Sequence, residues 1–127
     1  MFKEIIQDFK EYGIFLKKWI FYKRHSIKMS LAIRLADIKQ KAFNRQYHVM
    51  LIELSSGDKL TSINREDIKI FIRKKWLPKD TTYFGLTHSD SIFYSTPISR
   101  NNKSTPKERN EAREKYLKYV KKNINYA

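Results

Sequence analysis

Phe2, Ile5, Ile6, Phe9, Tyr12, Leu16, Trp19 and Ile20 recur at helical spacing, and no other pattern in the chain narrows the possible folds as much. Apolar residues three and four apart line one face of an α-helix, so residues 2–23 are predicted to form a helix with an apolar, aromatic flank. Its charges follow the helix dipole, with Glu4, Asp8 and Glu11 early and Lys17, Lys18, Lys23 and Arg24 late. Gly13 is the one weak position, costing ~1 kcal/mol against Ala. Lys23-Arg24-His25-Ser26 reads as a break, after which Ser26 or Ser30 caps a second helix over about 27–44. Leu31, Leu35, Ile38 and Phe43 are the predicted core face of that helix, with Ala32 and Ala36 beside them for close packing.

The pattern then changes. Residues 46–54 are β-branched and aromatic with few charges, Ser55-Ser56-Gly57-Asp58 is a turn cluster, and Lys59 to Ile63 return as a second strand. A two-stranded hairpin alone is marginal in water, so it must pack on a helix or gain a strand. Asn64 is placed to cap a third helix, with Glu66 and Asp67 in its first turn, Ile68, Phe71, Ile72 and Trp76 as its stripe, and Pro78 as its stop. Residues 79–103 read as loop, apart from a short third strand at 92–96. Thr105-Pro106-Lys107-Glu108 is the clearest local signal: a capping Thr, a Pro at the first helical position and a Glu at the third. A fourth helix follows to about 123, with a narrow stripe of Ala112, Tyr116, Tyr119 and Val120, the kind that lies on a surface or against a partner. The expected fold is therefore a single α+β domain over 1–127, mostly helical. It has about four helices, a hairpin within 46–63, an aromatic amphipathic N-terminal helix (1–25) that either packs on its own domain or serves as a docking arm, and a basic C-terminal helix (104–127).

Charge bounds the partners. The chain carries 27 basic and 13 acidic residues, a formal net charge of +14, and the excess is spread along its length. Such a field attracts polyanions and acidic protein surfaces. With no cysteine there is no disulfide, thiolate metal site or Cys nucleophile. No run of about 18 apolar residues predicts a membrane span, and the first residues do not read as a signal peptide.

Signals for catalysis are poor. His25, His48 and His88 are far apart and show no metal-ligand spacing, so no metal and no cofactor is expected. Glu66 with Asp67, or Asp37 with Glu53, would be the acid–base pairs to consider, but solvated or capping carboxylates account for them better. An enzyme is not expected. Two sets of residues are candidates for binding. The first joins the aromatic flank of the first helix (Phe9, Phe15, Trp19) to the acid-free end of the fourth (Lys115, Lys118, Lys121, Lys122). The second is a basic ridge on the third helix (Arg65, Lys69, Arg73, Lys74, Lys75) beside Trp76, where cations and an aromatic suit a phosphate backbone and stacked bases.

Three stretches also carry a family resemblance: Leu31 to Lys41 (LAIRLADIKQK), Asp67 to Pro78 (DIKIFIRKKWLP) and Tyr94 to Tyr119 (YSTPISRNNKSTPKERNEAREKYLKY). Over about residues 30–120 the chain resembles small conserved virion-associated proteins of the crAss-like tailed phages. That resemblance implies a non-enzymatic component of a phage particle, made in the bacterial cytoplasm. Such a component would be present in multiple copies in a symmetric assembly and would brace capsid or portal-vertex subunits with acidic surfaces. It offers no catalytic residues to carry over. The alternative expectation is a DNA-binding accessory or regulatory protein using the third-helix ridge.

Overall fold

The computed structural model describes residues 2–99 and 101–123, and of these the side chains of all but residues 2–9 and 12. The elements run α1 (Phe2–Phe43), β1 (His48–Leu54), β2 (Gly57–Ile63), α2 (Asp67–Arg73), α3 (Tyr83–Thr87), β3 (Ile92–Ser95) and α4 (Pro106–Asn123). The fold is α+β and mostly helical, as expected, but the first two predicted helices are one. Lys23-Arg24-His25-Ser26 does not interrupt α1, because nothing there forbids helical backbone. His25 is buried against Phe21 and Tyr116, so the polar cluster marks an anchor point of the helix. At 1.5 Å per residue, 42 residues span about 63 Å. Asn44, which tolerates left-handed backbone better than most residues, ends the helix with φ 54°.

The three strands form an antiparallel sheet in the order β2-β1-β3. The hairpin turn is tighter than expected. Leu54 pairs with Gly57, leaving Ser55 and Ser56 as the loop, and Gly57 takes the positive φ of 119° that closes the turn. The predicted third strand is β3, which supplies the support a lone hairpin lacks. A bulge lies where β3 joins β1. Val49 pairs with Tyr94 and Met50 with Ile92, so Phe93 is the extra residue. The bulge lets Phe93 and Tyr94 pack into the same cluster.

Both faces of the sheet are covered. Val49, Phe93 and Tyr94 pack with Met29, Ile33 and Ala36 of α1 and Ala112, Tyr116 and Val120 of α4. On the opposite face Met50, Ile52, Ile63 and Ile92 pack with Ile68 and Phe71 of α2 and Leu86 of α3. The narrow stripe of α4 is thus intramolecular: Val120 is fully buried and Tyr116 nearly so. His25 stands beside Tyr116, while Asp37 and Arg109 border one small cavity, so α1 and α4 run antiparallel.

The caps explain the helix boundaries. Asn64 and Asp67 cap reciprocally: Asn64 Oδ1 accepts from the Asp67 amide at 2.9 Å, and Asp67 Oδ2 accepts from the Asn64 amide at 3.1 Å. Pro78 is not what ends α2. The Trp76 amide donates to Phe71 O and the Lys75 amide to Ile72 O, Lys75 has φ 64°, and the Trp76 and Phe71 rings meet edge to face at 5.1 Å. That is a Schellman stop with its apolar contact, five residues before the helix would reach Pro78. The stretch read as loop contains α3, capped by Thr82 Oγ1 accepting from the Gly85 amide; five residues are too few to show periodicity. At α4 the Glu108 amide donates to Thr105 Oγ1 at 3.2 Å, and the hydroxyl in turn donates to Glu108 Oε1 at 3.1 Å, as the sequence predicts.

Candidate docking surfaces

The body of the domain grips α1 from Phe21 onward, through Met29, Ile33, Ala36 and Gln40. Gln40 is buried and its Nε2 donates to Pro97 O and Ser99 O, tying the 97–99 segment to the helix. Tyr94 donates its hydroxyl to Asp37 Oδ1 at 2.6 Å; burial first, then this bond, raises the phenol's pKa. From Ile14 to Ile20 the side chains meet water. Ile14, Phe15, Leu16, Trp19 and Ile20 are 56, 64, 39, 54 and 50% exposed. They ring the helix rather than line one face, a departure from the amphipathic helix expected for residues 1–25. A lone helix of this length gains little from propensity and needs a packed face. Here the apolar groups that would supply one are uncovered.

The predicted set is brought together in part. Phe15 and Trp19 are on the exposed segment, while the side chain of Phe9 lies outside the described residues. Because α4 runs antiparallel to α1, its last turn lies towards the root of that segment, and Lys118, Lys121 and Lys122 are exposed there. Lys115 is already engaged within the domain: its Nζ donates to Ile92 O at 2.6 Å, satisfying a carbonyl at the start of β3.

The basic ridge lies across the sheet from α1. Arg65, Lys69, Arg73, Lys74 and Lys75 are all exposed. The Arg65 guanidinium sits over the Tyr83 ring at 5.6 Å and Lys74 Nζ over the Trp76 ring at 4.5 Å. Trp76 is half-buried in its own cluster, so it is a wall for Lys74 more than a free stacking platform.

Each carboxylate weighed for acid–base work, except Glu53, has a structural partner: Asp37 takes the Tyr94 hydroxyl, Asp67 caps α2, and Glu66 pairs with Arg45. One nucleophile-like pair was missed in the sequence. Ser95 Oγ lies 2.6 Å from His48 Nδ1, and Tyr83 OH lies 2.9 Å from Nε2. His48 is buried, and burial lowers its pKa. The cavity of about 260 Å³ that Ser95 borders is formed with Phe93, Tyr94 and α4, not with the imidazole. The trio therefore reads as a bridge joining β1, β3 and α3. Among the described residues no cluster of His, Asp and Glu could hold a metal ion, and no helix is long and apolar enough to cross a membrane.

Sequence reasoning also placed the core face of residues 27–44 on the wrong stripe. Leu31, Leu35, Ile38 and Phe43 are 61, 51, 55 and 63% exposed, whereas Met29, Ile33 and Ala36 are buried. Spacing alone cannot choose between two apolar stripes. The usable signal was charge, since the stripe from His25 through Met29, Ile33 and Ala36 to Gln40 holds no Lys, Arg, Asp or Glu, whereas Arg24 falls on the Leu31 stripe and Arg34 beside it. Compared with known proteins, the chain matches no family model, no curated protein and no solved structure.

Proposed function

We propose that this protein is a small, non-enzymatic adaptor that seats between larger subunits of an assembly, with the N-terminal half of α1 as its docking arm. One observation carries the reading: residues 14–20 present Phe15, Trp19 and three aliphatic side chains to solvent on a helix segment that the domain does not cover. Large uncovered apolar surfaces on a folded chain mark interaction sites, and aromatics that become buried on binding are the side chains that most often anchor interfaces. The exposed cations at the end of α4 would steer an acidic partner surface towards the root of the arm. The resemblance of residues 30–120 to virion-associated proteins of crAss-like phages makes the assembly a tailed-phage particle, with capsid or portal-vertex subunits as partners and several copies per particle.

The second reading, a DNA-binding accessory protein, is favoured by the exposed Arg65, Lys69 and Arg73 on one side of α2. Quantitative mass spectrometry of purified particles separates the two. The adaptor reading expects a fixed stoichiometry relative to the major capsid subunit, lost in Phe15→Ser/Trp19→Ser and kept in Lys69→Glu/Arg73→Glu. Absence from particles would overturn it. Duplex binding that falls by a factor of about a thousand or more between 50 and 200 mM salt would then establish the second reading.

A further inference from the structure

Leu31, Leu35 and Ile38, predicted as core, belong instead to a second exposed surface that shares only Ile20 with the arm. At 3.6 residues per turn, Ile20, Ile27, Leu31, Leu35 and Ile38 fall within about 80° of one another, on the side of α1 opposite Met29, Ile33, Ala36 and Gln40. Each of the five is at least half exposed. Towards Leu31 and Leu35 the stripe opens into a groove of about 310 Å³ between α1 and the hairpin, lined by Leu51 and Leu60 and by two cations, Lys28 and Lys59, against one acid, Asp58. Five large aliphatic side chains uncovered on one face of a helix form a contiguous apolar patch, the kind of surface that marks an interaction site.

The charges say what fits. Between residues 20 and 41 the helix carries six cations, Lys23, Arg24, Lys28, Arg34, Lys39 and Lys41, and one acid, Asp37. Asp37 is held by the Tyr94 hydroxyl and Lys39 donates to Ser62 Oγ. Arg24 and Arg34 lie within or beside the stripe itself, so any occupant must face them. A second copy laid along this face would set Arg24 and Arg34 against their own kind in either direction, and like charges at an interface are strongly disfavoured. We infer that the outward face of α1 over Ile20–Ile38, with the groove beside Leu31 and Leu35, is a docking site for an acidic amphipathic helix of a partner protein. Its apolar side would cover the stripe while carboxylates on its flanks pair with Arg24, Arg34 and Lys28. This site deepens the adaptor reading and rests on it only in supposing a protein partner. It gives α1 two contacts, the arm and the stripe.

The test uses the full chain and fluorescence anisotropy. The probe is a labelled peptide of about three heptads, with Leu at the seam positions and Glu elsewhere. The comparisons are a scrambled peptide of the same composition and a short DNA duplex. Binding should be at least about tenfold tighter for the patterned peptide than for the scrambled one, since two well-buried leucines are together worth that much or more. Leu31→Ser/Leu35→Ser should weaken it about tenfold or more, and Arg24→Glu/Arg34→Glu should weaken it as well. Both pairs are exposed, so thermal melts should confirm that the variants fold. Phe15→Ser/Trp19→Ser should leave peptide binding unchanged, which separates failure of this site from failure of the arm. Three results would overturn the inference: equal binding of the scrambled peptide or the duplex, unchanged binding by the Leu31/Leu35 variant, or a wild-type dimer in sedimentation that Leu31→Ser dissolves.

Discussion

If the N-terminal half of α1 is an arm and not part of the domain's core, its residues should be nearly dispensable for the stability of the isolated chain, while residues on the same helix about four turns later should not be. Trp19→Ala and Ile33→Ala make the comparison. Ile33 is 2% exposed between the sheet and α4, so truncation loses the transfer energy of its side chain and leaves a cavity, about 2–5 kcal/mol in sum. For a domain of this size each kcal/mol moves the melting temperature by roughly 3–5 °C, and Ile33→Ala should lower it by about 6 °C or more. Trp19 is the larger side chain, and buried it would cost as much or more. At 54% exposure and outside both described core clusters, it forfeits little contact on removal, and Ala gains a few tenths of a kcal/mol in helix propensity. The net change should stay within ~0.5 kcal/mol, or a shift of about 2 °C. Thermal unfolding followed by far-ultraviolet circular dichroism reads both. A Trp19→Ala loss approaching that of Ile33→Ala would mean that the segment folds back onto the domain in solution, and the surface assigned to a partner would not be free.

Lys75→Gly should stabilise the chain. Left-handed backbone costs a Lys ~1–2 kcal/mol, Gly gives back ~0.4–1 through its looser unfolded state, and the net gain of about 0.5–1 kcal/mol would show as a higher midpoint in urea. Thr105→Ala removes the hydroxyl that accepts from the Glu108 amide and should cost ~1 kcal/mol by the same measurement. Burial holds the imidazoles of His48 and His25 below the usual histidine pKa, and Lys28 and Arg24 depress His25 further. The unfolded chain therefore binds more protons than the folded one below about pH 6.5, and stability should fall as pH drops from there towards the lowered pKa values. His48→Gln should flatten part of that dependence in melts taken between about pH 5 and 7. Tyr94→Phe removes the bond to Asp37 and should cost about 1.5–3 kcal/mol, as hydrogen bonds to charged groups do.

The parts of this fold that were legible in the sequence are those whose signals are local and specific. Thr105, Pro106 and Glu108 mark the start of α4 through cap chemistry that works wherever the helix later packs. The β-branched and aromatic run from Tyr47 to Leu54, nearly free of charge, marks the hairpin in the same way with the Ser55-Ser56-Gly57 turn. The parts that were not legible depended on tertiary contact. His25 reads as polar punctuation until Phe21 and Tyr116 are seen around it. Gln40 reads as a surface residue until its amide reaches Pro97 O and Ser99 O. Both polar residues sit in the true core stripe of α1, and they made the cleaner aliphatic series, Leu31, Leu35 and Ile38, look like the buried one. Of the candidate surfaces, Phe15, Trp19 and the terminal lysines of α4 could be named in advance because an aromatic flank at helical spacing and an acid-free run of cations are local patterns. The outward stripe could not, because hydrophobicity says that a face wants cover without saying whether its own domain provides it.

The continuity of α1 gives these surfaces their functional sense. A break at residues 23–26 would have left a hinged peptide, and its ordering on a partner would have cost about 1–2 kcal/mol per residue fixed. An unbroken helix anchored by His25, Met29, Ile33 and Ala36 over the sheet places the arm at a set angle to the body before any partner arrives. Binding then spends less on ordering, which is how preorganised surfaces gain affinity. The same continuity ties the arm to the outward stripe at a fixed spacing along one axis, so two partners held on α1 would be held in register with each other. Charge alone would bind such a chain to many acidic surfaces. The apolar pattern on a rigid axis is what would select among them, because only a partner with matching spacing can cover Phe15 and Trp19 at one end and Leu31 and Ile38 at the other.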